Sequence, residues 1–305
     1  MPRFTVVIPC HNAAATLPAT LASLEAQALT DWEALLIDDG STDGTFAIID
    51  AAIARDPRIR ACSAWGNGPA AARNVAVTEA RGDIIAFLDA DDTWEPLKLS
   101  RMHTLFRDPE IDGVFARVAV LDEAGHVRSE PSVPSGDLGM QTLLGENPVR
   151  TLSNLCIRRE AFVATNGFKA TMLHNEHLEW LVRIVAEGYR VVALNEVLVR
   201  QATRPGALSS DLAAMRAGRA MALATAARYG HRPGARAEAI HLRDLARRAL
   251  GSNAPAREVL ALALAGAMKS PTGFFSDPRR GGATLMGALF SGFMSTRTRA
   301  ALFAV

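Results

Sequence analysis

Short apolar runs alternate with helical patterns over the first hundred residues of the chain. Four such stretches, each of which predicts a strand, lie at 4–8, 35–37, 59–64 and 84–88, and the third also contains Arg60 and Ser63. Between the first two runs, leucines recur at intervals of three and four over 17–28, which predicts a helix with one buried face. Because strands and helices alternate with short connections, we expect an α/β fold in which helices flank a mostly parallel central sheet.

Acidic side chains directly follow two of these runs. Asp38 and Asp39 close the second run, and Asp89, Asp91 and Asp92 close the fourth. The ligand crevice of a doubly wound sheet lies at the carboxyl ends of its strands, so we expect both acidic groups at one edge. Three crowded carboxylates are typical of a site for a divalent cation such as Mg²⁺ or Mn²⁺, which shares oxygen ligands with substrate phosphates. A solvated turn that caps the helix starting near Glu95 and Pro96 is the alternative.

Composition excludes several other classes of protein. The 305 residues are 49% hydrophobic and 21% charged, and a formal net charge of +1 gives no reason to expect nucleic acid as a partner. The three cysteines show no C-x-x-C pairing, which favours a reducing compartment without a disulfide framework. Neither G-x-G-x-x-G nor a Walker lysine loop follows the first run, so a plain dinucleotide or triphosphate site is not expected.

The amino-acid composition of the chain changes beyond residue 209. We predict a first domain over 1–209, with halves 1–110 and 111–209, and a helical appendage over 210–305 in which arginines outnumber acidic residues. This basic bias indicates either peripheral contact with an acidic membrane surface or an ordinary solvated helix face. The apolar stretch 283–294 is too short to span a bilayer, and we expect it at a membrane interface or packed on the appendage.

The N-terminus enters a strand at once. It lacks the long apolar segment of a signal peptide, and the chain nowhere shows about 18 consecutive apolar residues. We therefore expect a cytoplasmic protein that contacts the inner membrane face peripherally, if at all.

Four motifs together resemble a known family. V-V-I-P-C-H-N, L-I-D-D-G-S-T-D-G-T, G-P-A-A-A-R-N and I-I-A-F-L-D-A-D-D-T-W resemble, in order and spacing, the nucleotide-sugar-binding half of family-2 glycosyltransferases, which have the GT-A fold. Weaker matches continue through N-G-F, E-H-L-E-W-L-V-R and L-V-R-Q-A-T-R-P-G-A-L-S, so that the resemblance covers about residues 3–210. The helical tail shows no such signature.

The resemblance implies roles for the acidic residues. Asp39, or its neighbour Asp38, would accept a hydrogen bond from the base of a nucleoside-diphosphate sugar. Asp89 would lie near the ribose or just behind the residues that contact the donor, and Asp91 would bind the Mg²⁺ or Mn²⁺ ion that bridges the diphosphate. These roles suit the chemistry, because a carboxylate accepts an imide N–H and the cation neutralises the departing diphosphate. For Asp38 and Asp39 the alternative is a turn-and-cap pair.

Four further residues are assigned to the donor site on the same ground. Pro9 and Asn12 end the first run, and Arg73 follows the glycine-rich loop. Arg204, in R-P-G-A-L-S, would reach the diphosphate when its loop closes. For Arg73 and Arg204 a surface role is the alternative.

The catalytic base has two candidates. Similar enzymes carry an acidic pair here, whereas this chain has Glu176 followed by His177 at the position of the usual aspartate. A neutral histidine can act as a base, since its ordinary pKa of about 6.5 is close to neutrality. Glu179 stands four positions before Arg183 and predicts an intrahelical ion pair, and His174 is expected to pack or cap locally.

The resemblance predicts an inverting, metal-dependent glycosyltransferase. It would transfer a sugar from a nucleoside-diphosphate donor to a hydroxyl of a glycan or lipid-linked acceptor, in the synthesis of cell-surface polysaccharide or glycoconjugate. One alternative is a binding module that kept the nucleotide-sugar pocket and lost turnover through His177. A nucleotidyltransferase is disfavoured, because no Gly-rich loop with Lys and Arg follows the first strand.

Overall fold

The computed structural model divides the chain into two compact units. It describes residues 2–63, 68–122, 124–172, 174–202 and 212–303. The first unit comprises Met1–Leu138 and Val149–Arg204, and the second comprises Gly139–Pro148 and Pro205–Val305. The predicted domain 1–209 includes the segment Gly139–Pro148, whereas the structure groups this segment with the second unit.

A single nine-stranded sheet organises the first unit. Its strands are β1 (Phe4–Cys10), β2 (Trp32–Asp38), β3 (Ile59–Ser63), β4 (Ile84–Phe87), β5 (Thr93–Trp94), β6 (Gly113–Leu121), β7 (Val127–Ser129), β8 (Leu155–Arg158) and β9 (Val191–Ala202). The order is β3-β2-β1-β4-β8-β6-β9-β5, and β7 pairs with β6. β1, β2 and β4 are buried along nearly their whole length, as expected of apolar strands covered on both faces.

The direction of the strands changes at β8. β3, β2, β1 and β4 run parallel, β8 is antiparallel to both β4 and β6, and β9 is parallel to β6. Two local predictions were wrong. β1 does not close at Pro9 but continues to Cys10, and β5 follows the acidic turn, so the next helix begins at Lys98 and not near Glu95 and Pro96.

The first α-helix begins at Leu17, as the apolar spacing predicts, and other α-helices follow it along the chain. In chain order they are α1 (Leu17–Glu25), α2 (Thr45–Arg55), α3 (Pro69–Glu79), α4 (Lys98–Leu105), α5 (Met140–Gly145), α6 (Arg159–Ala164), α7 (Glu176–Ala186), α8 (Leu212–Arg228), α9 (Ala235–Gly251), α10 (Ala256–Lys269), α11 (Pro271–Phe274), α12 (Pro278–Phe290) and α13 (Thr296–Phe303). α5 and α8 to α13 belong to the second unit.

An aromatic cluster fixes α6 and α7 in the first unit. The rings of Phe87, Phe162, Phe168 and Trp180 are 5.1 to 5.7 Å apart between centroids, in tilted or edge-to-face geometry. The indole N–H of Trp180 donates a hydrogen bond to the hydroxyl of Thr165 at 3.0 Å. Because α7 also carries Glu176 and His177, this cluster holds both candidate bases in place.

The second unit has its own helical core. Its fully buried residues include Ala246, Leu250, Val259 and Phe274. Glu146, after α5, accepts hydrogen bonds from Arg243 at 3.0 Å and from Arg280 at 2.8 Å, which joins the segment Gly139–Pro148 to the helices of this unit. Across both units, none of the helices in the described ranges is long and apolar enough to cross a membrane.

Candidate active site

The two acidic groups predicted at the sheet's edge do lie at one edge. β1 is parallel to both β2 and β4, with Cys10 opposite Asp38 and Val7 opposite Phe87. The polar residues that follow β2 and β4 therefore leave the sheet in the same direction. The edge is the carboxyl end of the parallel strands, where α/β proteins bind ligands.

Asp39 presents one satisfied and one unsatisfied carboxylate oxygen. Its Oδ2 atom accepts the backbone N–H of Gly68 at 3.1 Å, and Gly68 has a φ of 84°, which a residue without Cβ adopts at little cost. Its Oδ1 atom is buried and has no hydrogen-bond partner among the described residues. A buried carboxylate oxygen without a partner is costly, so a ligand that donates a hydrogen bond there would be strongly favoured.

Asp38, Pro9 and Asn12 organise the surrounding backbone. Asp38 Oδ1 accepts the N–H of Ser41 at 3.1 Å, and Asn12 Oδ1 accepts the N–H of Thr42 at 2.8 Å. Pro9 lies within β1, opposite Ile37. Asp38 therefore makes the contacts expected of a turn and cap residue. Asp39 is the carboxylate that keeps an oxygen able to accept a further hydrogen bond.

The acidic turn after β4 is held by residues that the sequence analysis missed. The hydroxyl of Thr151 is 3.1 Å from both Asp89 Oδ2 and Asp92 Oδ2, and Ser153 Oγ accepts the N–H of Asp89 at 2.9 Å. Burial, and then the carboxylates of Asp89 and Asp91, raise the pKa of Asp92 well above its ordinary value. Thr151 and Ser153 are buried, and they precede a strand rather than follow one.

Asp91 suits a cation that is shared with a substrate. It is half-buried in the same turn. Among the described residues no group of three His, Cys, Asp or Glu side chains could hold a metal ion by itself. Mg²⁺ and Mn²⁺ sites that include phosphate oxygens need only one or two carboxylates, so the donor set at this turn fits such an ion and not an all-protein cage.

Arg73 connects the two halves of the site. It is only 5% exposed, which rules out the surface alternative, and its guanidinium donates to Asp89 Oδ1 at 2.5 Å and to Glu176 Oε1 at 3.3 Å. Its Nε atom is buried and without a partner in the described part of the chain. One buried cation thus fixes a carboxylate of the acidic turn relative to the start of α7.

The two candidate bases at the start of α7 differ in their surroundings. Glu176 is buried and engaged by Arg73, and Asn175 before it has a left-handed φ of 58°. His177 is half-buried and has no hydrogen bond to another described residue. Burial lowers the pKa of His177 below 6.5, against the opposing effect of Glu176; Arg73 lowers it further and Asp89 raises it. Because its pKa lies below 6.5, His177 is a neutral imidazole at pH 7 and carries a lone pair that can accept a proton.

Glu179 lies on α7, and His174 lies just before this helix. Glu179 is fully buried and forms the predicted ion pair with Arg183 at 3.0 Å, and it also pairs with Lys169 at 2.5 Å. His174 is half-buried just before α7. Arg204 lies outside the residues that the structure describes.

Comparison with known proteins places the chain in a family. The model described as Glycosyl transferase family 2 matches residues 5–164 of the chain. WfgD of Escherichia coli, a UDP-Glc:alpha-D-GlcNAc-diphosphoundecaprenol beta-1,3-glucosyltransferase, is 32% identical over 120 residues, which is 39% of this chain and 46% of WfgD. The chain spans 13% to 66% of the length of eight curated relatives that it matches.

Solved structures share the fold at low sequence identity. TarS of S. aureus (residues 1–349), in complex with UDP-GlcNAc, has a TM-score of 0.61 at 16% identity, over 95% of this chain and 92% of that one. The mannosyltransferase PcManGT from Pyrobaculum calidifontis, in complex with GDP-Man and Mn²⁺, has a TM-score of 0.61 at 19% identity, over 99% of this chain and 85% of that one. The predicted α/β fold of the GT-A type with a C-terminal helical region is confirmed.

Proposed function

Since the chain belongs to glycosyl transferase family 2, we propose that it transfers a sugar, with inversion, from a nucleoside-diphosphate donor to a hydroxyl of a glycan or lipid-linked acceptor. The observation that carries this proposal is the meeting of three features at one edge of the sheet. These are the open acceptor of Asp39, the acidic turn around Asp91, and the start of α7, which Arg73 joins to Asp89.

Asp39 selects the base of the donor. Its unpartnered Oδ1 atom accepts a hydrogen bond and cannot donate one when the carboxylate is ionised. Uracil, thymine and guanine offer a ring N–H, whereas adenine and cytosine offer an unprotonated ring nitrogen at the corresponding edge. The pocket therefore favours uridine, thymidine or guanosine diphosphate sugars over adenosine and cytidine ones.

Asp91 holds the divalent cation together with the diphosphate. When bound, Mg²⁺ or Mn²⁺ neutralises the charge that develops on the leaving diphosphate. Asp89 is already held by Arg73 and Thr151, so its carboxylate supports the turn and the ribose side of the pocket. The complex of PcManGT with GDP-Man and Mn²⁺ supports a cation of this kind.

His177 is the favoured base. Its Nε2 or Nδ1 lone pair takes the proton of the acceptor hydroxyl while the oxygen forms a bond to the anomeric carbon. The bond from that carbon to the diphosphate oxygen breaks, and the diphosphate leaves with the electron pair. Glu176 is less suited to the proton transfer, because Arg73 occupies its Oε1 atom at 3.3 Å.

The acceptor is assigned only by class. WfgD, whose name specifies a sugar linked to diphosphoundecaprenol as the acceptor, matches this chain over 120 residues. A lipid-linked saccharide of cell-surface polysaccharide synthesis is therefore the acceptor class to test first.

A thermal-shift screen tests the donor site. Nucleoside diphosphates would be added to the full chain with and without Mn²⁺ or Mg²⁺, and with Asp39→Asn, Asp91→Asn and the exposed surface control Asp50→Asn. We expect UDP, TDP or GDP to raise Tm with metal, because a ligand that binds the folded state stabilises it by mass action. The increase should disappear in Asp39→Asn, lose its metal dependence in Asp91→Asn and persist in Asp50→Asn. If no nucleoside diphosphate raises Tm with either metal, the proposed donor site is refuted.

A turnover assay distinguishes the proposed transferase from the alternative of a binding module. Release of nucleoside diphosphate from the selected donor, in the presence of lipid-linked saccharides, supports the transferase. A donor that binds with metal but stays intact with every acceptor supports the module that has lost turnover.

A further inference from the structure

An exposed apolar ridge runs along α12 in the second unit. It consists of Met286, Leu289, Phe290 and Phe293, which are 53%, 49%, 52% and 90% exposed. Three of them lie in α12 at intervals of three and one and share one side of the helix, and Phe293 lies in the turn that follows. Large apolar side chains grouped in this way indicate an interaction surface.

The opposite side of α12 is firmly packed. Gly281, Thr284, Gly287 and Ala288 are buried there, and an added Cβ at Gly281 would come within 2.8 Å of the backbone of Phe274. Asp277 caps the helix by accepting the N–H of Arg280 at 3.0 Å. The ridge is therefore the outer side of a helix whose inner side packs against the second unit. Its side chains are exposed although the helix itself is packed in place.

The exposed charges of the chain segment that carries the ridge have one sign. Within 251–303, the exposed charged residues are Arg257, Lys269, Arg279 and Arg297, and all are cationic. The two acidic residues of this segment are already engaged, Glu258 by Arg216 at 2.9 Å and Asp277 as the helix cap. Arg279 begins the ridge side of α12, and Arg297 follows Phe293 by four residues. Neither arginine has an ion-pair partner among the described residues.

We propose that this ridge docks the protein on an anionic lipid surface. Aromatic and long aliphatic side chains with flanking arginines are the chemistry by which an amphipathic helix lies in the headgroup region of a membrane. A second copy of the chain is a poorer occupant, because two cationic ridges would repel each other. The proposal goes beyond the sugar transfer and does not depend on it.

Vesicle sedimentation of the full chain tests the surface. Phosphatidylcholine vesicles with and without phosphatidylglycerol would be mixed with the parent protein, Phe290→Ser/Phe293→Ser and Arg279→Gln/Arg297→Gln. We expect binding only to the anionic vesicles, reduced at least about tenfold by the serine pair through lost apolar burial. The glutamine pair should weaken binding by about 30-fold, since each basic residue near an anionic surface contributes about fivefold.

Matched controls exclude general effects. Phe46→Ser removes an exposed phenylalanine of the first unit, and Arg107→Gln/Arg159→Gln removes two exposed charges there. These variants should bind like the parent, and the ridge variants should keep the Tm of the parent because the altered side chains are exposed. Equal binding by Phe290→Ser/Phe293→Ser and the parent would overturn the proposal. The proposal would also be overturned if light scattering showed a dimer for the parent and the controls but a monomer for the ridge variants, since the ridge would then bind a second copy of the chain.

Discussion

His177 determines how the proposed transfer depends on pH. A base must be unprotonated to act, and burial lowers the pKa of this imidazole, so the group stays neutral through pH 7. The charged groups that face it are Glu176, Arg73 and Asp89. We expect kcat/KM to be flat near neutrality and to fall with acidification only below about pH 6.5, the ordinary value for histidine.

Substitution at this position should move the acid limb of the profile. His177→Asp keeps a base that ionises at lower pH, so we expect activity within about tenfold of the parent and a fall that begins at more acidic pH. His177→Ala should lower kcat by about 10² to 10⁴ while the donor-induced rise in Tm remains. An unchanged profile in His177→Asp together with a large loss in Glu176→Gln would assign the base to Glu176 instead.

Thr151 provides a second test at the residue scale. Its hydroxyl contacts Asp89 and Asp92 at 3.1 Å each, so Thr151→Val removes a hydrogen-bonding partner of the half-buried Asp89 and of the buried Asp92. We expect a loss of about 1 to 3 kcal/mol in the free energy of unfolding and a higher KM for the donor. Thr151→Ser keeps the hydroxyl and should restore both values. If valine and serine behave alike in urea unfolding and in donor titrations, the hydroxyl has no such role.

At the scale of elements, α3 connects the acidic turn after β4 with α7. Arg73 bridges Asp89 and Glu176, and the side-chain amide of Asn74 makes two hydrogen bonds with the backbone of Phe168 at 2.7 and 2.9 Å. One helix thus positions both the acidic turn and the segment that leads into α7. The motif G-P-A-A-A-R-N contains both residues, yet the sequence indicated only a nucleotide contact for Arg73 and no role for Asn74.

Breaking the Arg73 bridge should be costly. Arg73→Gln leaves two carboxylates without their buried cation, and we expect a loss of about 3 to 5 kcal/mol in the free energy of unfolding. Because the residues interact directly, Arg73→Gln/Glu176→Gln should lose less than the sum of the single variants. Denaturant unfolding of the four proteins gives the coupling. Strict additivity would mean that the contact at 3.3 Å contributes nothing.

The direction of β8 explains what the sequence could not predict. The carboxylates after β2 and β4 could be predicted, because each ends an apolar run and parallel strands end at the same edge. Thr151 and Ser153 precede a strand, which in a parallel sheet would place them at the far edge. β8 is antiparallel to β4, with Ala86 opposite Cys156, and its start therefore meets the end of β4. A pairing direction between distant segments has no local signal.

At the scale of the whole molecule, the second unit includes one segment that its composition does not mark. The change of composition beyond residue 209 marks the helical region, but Gly139–Pro148 carries no such signal and still belongs to the second unit. Its Glu146 is held by Arg243 and Arg280, residues about a hundred positions away or more. Contacts between residues so far apart in sequence decide to which unit a segment belongs, and the composition of the segment does not predict them.

His241 makes the second unit sensitive to acid. It lies on α9, where burial, and then Arg219, lower its pKa to about 4; Asp244 opposes this shift, and Arg248 and Arg216 add to it. In the unfolded chain the ordinary value is 6.5, so the unfolded state binds more protons between these two values. Stability is therefore fully present above pH 6.5 and falls as pH decreases towards 4, by up to about 2 kcal/mol near pH 5.

Replacing this histidine should remove part of that loss. His241→Gln has no proton to take up, so we expect its Tm to fall less than that of the parent between neutral pH and about pH 5. His126→Gln is the matched control, because the side chain of His126 is 82% exposed in the first unit, and it should follow the parent. Calorimetry across this pH range measures the difference. Parallel curves for His241→Gln and the parent would show that His241 is already protonated at no cost in the folded protein, and that its arginine neighbours do not act as inferred.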